Sequence, residues 1–150
     1  MKKTVIIPII VAVLLGFISA KLVYNGHKLK TKTEAYTYNS YLLQAGVYSD
    51  KLALNKALEN LKDYIVKKEN NKYYVYIGIT TSKENANKLK KIYEQKDMDI
   101  YIKQGNIDNI EFISNLEQFD VLLNGVSKEK DILSINEVIL STYEEMVMAK

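Results

Sequence analysis

Tyr41-Leu-Leu-Gln-Ala-Gly-Val-Tyr-Ser-Asp-Lys51, set above Tyr73-Tyr-Val-Tyr-Ile-Gly-Ile-Thr-Thr-Ser-Lys83, puts Tyr41 on Tyr73, Gly46 on Gly78 and Lys51 on Lys83, a repeat of 32 residues. Each copy is a β-prone run that reaches a glycine and passes through a capping residue into an amphipathic helix. In the first copy Asp50 or Ser49 can cap a helix striped by Leu54, Ala57, Leu58 and Leu61. In the second, Ser82 caps a helix carrying Ala86, Leu89, Ile92 and Tyr93. Each helix is followed by a short β-prone run, Tyr64–Lys67 and Ile100–Lys103, and Asn70-Asn71 supplies a tight turn between the second and third strands. The order is βαββαβ. It predicts an α+β fold of the ferredoxin-like (RNP) type: a four-stranded antiparallel sheet with two helices on one face.

Period-2 alternation sorts the strand side chains. Leu43, Ala45, Val75, Ile77, Ile100 and Ile102 point toward the helices, which leaves Gln44, Lys72, Tyr74, Tyr76, Tyr101 and Lys103 on an uncovered face. A tyrosine offers a flat apolar ring and a hydroxyl, suited to the C–H face and hydroxyls of a sugar. A glutamine amide both donates and accepts.

The same stretch, Tyr41–Lys103, resembles the SPOR (sporulation-related repeat) domain. Leu43-Gln44-Ala45-Gly46 is similar to the family's half-repeat opening, Tyr73–Gly78 to the start of its second half, and Ser82-Lys83-Glu84-Asn85-Ala86 to its Ser-x-Glu-x-Ala helix start. Val47 stands where the family often has serine, and the chain lacks tryptophan and the glycine usual after each helix. The resemblance implies binding to peptidoglycan glycan strands stripped of stem peptides, at division or spore septa. It implies glycan contacts at Gln44, Lys72 and Tyr74. It also implies a single-pass membrane anchor with the domain on the extracytoplasmic side.

The amino terminus fits such an anchor. Lys2 and Lys3 precede 17 uncharged residues, Thr4 to Ala20, at the lower limit for a spanning helix, and Leu22, Val23 and Tyr24 extend the run if Lys21 snorkels. The rival is a signal peptide cleaved after Ala20, against which Ile18 is bulky for its place in a cleavage site. Lysines on both sides leave the orientation open by charge alone. We therefore expect an anchor over residues 1–24, a polar tether over 25–40, the SPOR-like domain over 41–105 and an acidic tail over 106–150. His27 lies in the tether with no acidic partner near it in sequence and reads as a solvated bystander.

Charge changes sign along the chain. Residues 41–105 hold twelve lysines against eight acids, whereas residues 106–150 hold three lysines against nine acids. The acidic tail could dock on the basic middle or stay separately solvated. Its pattern predicts a helical hairpin. Asp108 and Glu111 form a capping box ahead of Phe112, Leu116, Phe119 and Leu123, Gly125 ends the first helix, and Ser127 caps a second bearing Ile132, Ile135, Ile139, Tyr143 and Met146.

No cysteine is present, which excludes disulfides, thiolate metal sites and cysteine nucleophiles. A single histidine argues against a multi-histidine metal site or a Ser-His-Asp triad. Every basic residue is lysine, so bidentate arginine clamps are absent. We expect no enzyme, no metal and no cofactor, but a membrane-anchored peptidoglycan-binding protein of division or sporulation, with cell-wall or division proteins as further partners. Two other classes compete. One is an RRM-like single-stranded nucleic-acid binder, disfavoured by the missing arginine and signature, so that no nucleic acid is expected. The other is a scaffold recruiting a protein through the hairpin.

Overall fold

A computed structural model describes residues 38–149. The expected membrane segment, His27 and the tether up to residue 37 lie outside the described residues. Among those described, no helix is long and apolar enough to cross a membrane.

The elements run β1 (Tyr38–Tyr48), α1 (Lys51–Leu58), β2 (Ile65–Glu69), β3 (Lys72–Thr80), α2 (Lys83–Glu94), β4 (Tyr101–Ile107), α3 (Ile110–Gly125), α4 (Glu129–Tyr143) and a π turn (Glu144–Met148). The four strands form one antiparallel sheet in the order β2-β3-β1-β4, as the βαββαβ reading requires. Asp50 accepts from the Ala53 amide to start α1, and Ser82 accepts from Asn85 to start α2. Asn70 and Asn71 both take positive φ, 48° and 60°, the left-handed pair that closes a two-residue hairpin.

Three boundaries move. β1 begins at Tyr38, so residues 38–40 belong to the sheet and not to the tether. Asn109, not Asp108, caps α3 by accepting from the Phe112 amide, and Lys128 precedes α4 with no side-chain cap in place of Ser127. The last strand also runs past residue 105, to Ile107, and the described residues of the sheet and tail fall in one compact unit.

The register assigns the faces. Leu43 pairs with Gly78 and Ile102, and a Cβ placed on Gly78 would lie 3.2 Å from Asn136 Oδ1 of α4 and 3.4 Å from Leu89 of α2, so both α2 and the hairpin reach this side of β3. Ser40, Leu42, Gln44, Tyr76, Tyr74, Lys103 and Tyr101 lie on the opposite face through their pairing with one another and with β2. There the structure departs from the uncovered face expected. Ser40, Ile65, Tyr76 and Ile79 are buried on that side, and α3 and α4 pack against β3. The hairpin packs along β3 and α2, and a corner of the sheet remains free. Its apolar stripe is all buried: Phe112, Leu116, Phe119 and Leu123 from α3, and Ile132, Ile135, Ile139 and Tyr143 from α4. Met146 falls in the π turn and is only half-buried.

Buried polar groups fix this docking. Asp120 of α3 is 5% exposed and accepts from Thr80 Oγ1, from Thr81 N at 2.8 Å, from Thr81 Oγ1 at 2.7 Å and from Asn85 Nδ2 at 2.9 Å. Asn136 of α4 donates from Nδ2 to the Ile77 carbonyl at 2.8 Å and to Tyr93 Oη at 3.2 Å. That carbonyl is free because β2 pairs only as far as Tyr76 and the β1 register slips beside it. Lys88 Nζ donates to the Leu123 and Val126 carbonyls at 2.7 and 2.9 Å, satisfying the end of α3. The exposed pairs Lys62–Glu137 and Lys96–Glu129, 3.2 and 2.9 Å, join the basic middle to the acidic tail across a groove of about 580 Å³. The docking alternative for the tail is therefore the one observed, although surface pairs of this kind stabilise it only modestly.

Candidate functional site

The free corner lies where β1, β3 and β4 meet. Gln44 sits opposite Tyr101 on one side and Tyr76 on the other. Tyr101 is 65% exposed on the edge strand. The Tyr74 ring is half-buried, and Lys103 Nζ stands 5.3 Å from its centroid in a cation–π contact. Lys72 is exposed at the start of β3, opposite Glu69. Five of the six residues read from the sequence thus converge: Gln44, Lys72, Tyr74, Tyr101 and Lys103.

Tyr76 does not join them. It is 4% exposed, and burial, ahead of the nearby Glu69, Tyr74 and Tyr143, pushes its phenol up to about 12. A ring enclosed in this way cannot lie against a sugar. It stacks instead on Tyr74, centroids 6.5 Å apart and planes 10° apart.

Three further residues border the corner. Val47, 40% exposed, pairs with Tyr74. Simple alternation counts Val47 inward with Leu43 and Ala45, but register shifts between Leu43 and Gly46 turn it to the opposite face. Lys67 pairs with Tyr74 across the strands and holds Glu69 at 2.6 Å. That hydrogen bond raises the lysine pKa and lowers the carboxyl's, which Lys103 lowers further. The corner is a cationic, ring-bearing surface with one carboxylate already engaged by a lysine. It can stack on an apolar sugar face, hydrogen-bond hydroxyls through Gln44 and the phenols, and attract negative charge.

No protein-family model matches the chain, and no curated protein does. Among solved structures, the chain is similar to the peptidoglycan binding domain of the B. subtilis cell wall lytic enzyme CwlC, with 25% identity over 50% of this chain and 98% of that one. The TM-score is 0.39, a likeness too low to define fold or function by itself.

Proposed function

We propose that this protein binds peptidoglycan glycan strands without cleaving them, through the corner formed by Gln44, Lys72, Tyr74, Tyr101 and Lys103. The observation that carries the reading is that five of the six residues expected to bind sugar stay together on the part of the sheet the hairpin leaves free. Tyr74 and Tyr101 supply rings, and Gln44, paired with Tyr101 across the strands, supplies an amide. Peptidoglycan lies outside the cytoplasmic membrane, so the reading carries with it an anchor over residues 1–24 and an extracytoplasmic domain, acting at division or sporulation. The scaffold alternative loses its main support, because the apolar stripes it would offer a partner are buried.

Retention of the full chain on purified sacculi tests the proposal. Wild type is retained, and the double variant Gln44→Ala/Tyr74→Ala is not, with its thermal midpoint close to wild type. A salt titration against single-stranded RNA run alongside separates the remaining alternative. Salt-sensitive RNA binding without sacculus retention would replace the glycan reading by the nucleic-acid one.

A further inference from the structure

The corner has an apolar edge and a cationic rim, and the two meet at Tyr74. Val47 is 40% exposed and stands opposite Tyr74 in the register of β1 and β3. Directly opposed residues of an antiparallel pair share a face, with Cβ atoms about 5 Å apart, so the Val47 methyls stand beside the Tyr74 ring. From β2, Lys67 opposes Tyr74 on its other side. Lys103 Nζ lies 5.3 Å from the ring centroid, and Lys72 is exposed at the start of the same strand. Glu69, the carboxylate bordering the corner, is held by Lys67 at 2.6 Å and offers little to a second cation.

The nitrogen of an amino sugar is either acetylated or free. The acetamide is neutral and ends in a methyl group; the free amine lacks that methyl and is cationic once protonated. We propose that the corner selects N-acetylated glycan strands and rejects de-N-acetylated ones: Val47 and the edge of the Tyr74 ring seat the acetyl methyl, while Lys67, Lys72 and Lys103 repel the ammonium. This deepens the glycan reading and rests on it for the class of polymer. Removing the acetyl group loses an apolar contact and adds a like charge, two effects of the same sign. Gln44, on the same face, adds an amide that can donate to and accept from the acetamide.

The test uses the full chain and one preparation of sacculi stripped of stem peptides. One part stays N-acetylated, a second is de-N-acetylated enzymatically, and a third is de-N-acetylated and then re-acetylated. Retention of wild type on the second should be about twentyfold weaker at about pH 5, where the sugar amine is protonated. At about pH 9, where only the methyl is missing, it should be about fourfold weaker. The corner itself keeps its charges across this range, because the hydrogen bond between Lys67 and Glu69 raises the lysine pKa and lowers the carboxyl's. Re-acetylation should restore retention. Val47→Ser, a change at a surface position, should erase the preference at about pH 9, and Val47→Ile should keep it. Lys103→Gln should narrow the gap at about pH 5. Equal retention of wild type on all three preparations, or a preference at about pH 9 undiminished in Val47→Ser, overturns the proposal while the glycan reading stands. No retention of wild type on any preparation removes the glycan reading, and the proposal with it.

Discussion

Tyr74 and Tyr76 share a strand and a face, yet one borders solvent and the other is enclosed. Substitutions should separate exposed rings of this face from enclosed ones. Tyr101→Ala removes an exposed ring and should change stability by no more than about 0.5 kcal/mol while weakening sacculus retention. Tyr76→Ala leaves a cavity in the core and should destabilise by about 3 kcal/mol, read by chemical denaturation. The buried phenols also set an alkaline limit. Burial raises the pKa of Tyr76 and Tyr93 from 10.0 to about 12, so the folded state keeps protons there that the unfolded state releases. Their stabilisation is complete below pH 10 and is lost as pH rises from 10 toward 12. Thermal midpoints measured from pH 8 to 12 should fall over that window, and Tyr76→Phe should flatten the fall. An equal decline in wild type and Tyr76→Phe would count against this assignment for Tyr76.

Among the elements, the repeat was readable because each signal is local: Asp50 and Ser82 cap their own helices, and Asn70-Asn71 makes its own turn. The register shifts around Ala45 and Ile77 were not readable, since a bulge interrupts pairing with another strand and leaves no mark in a continuous β-prone run. Val47, which pairs with Tyr74, could not be placed for that reason. The docking of the hairpin was equally hidden. Asp120 and Asn136 are single polar residues beside apolar stripes, and only the fold brings Thr80, Thr81, Asn85 and the Ile77 carbonyl to them. Asp120→Ala should therefore cost about 2–3 kcal/mol, because several buried donors lose their acceptor. Hydrogen exchange should show the loss first in α3 and α4. Protection there equal to wild type would show that Asp120 does not secure the hairpin. Asn71→Ala, forced into left-handed backbone, should cost about 1 kcal/mol by denaturant titration without altering retention.

At the scale of the molecule, the acidic tail and the basic middle are one folding unit. Without residues 108–149, Thr80, Asn85 and the Ile77 carbonyl would lose their partners Asp120 and Asn136. A chain ending at residue 107 should lose its cooperative melting transition. A sharp transition at the wild-type midpoint would instead restore the separate-hairpin reading. The central claim, that the corner left free by the hairpin binds wall glycan, meets its most direct test in sacculus retention of the Tyr74→Ala/Tyr101→Ala variant beside wild type. The account predicts strong retention of wild type and background retention of a folded variant. Equal retention of the two, or none by wild type, would contradict it.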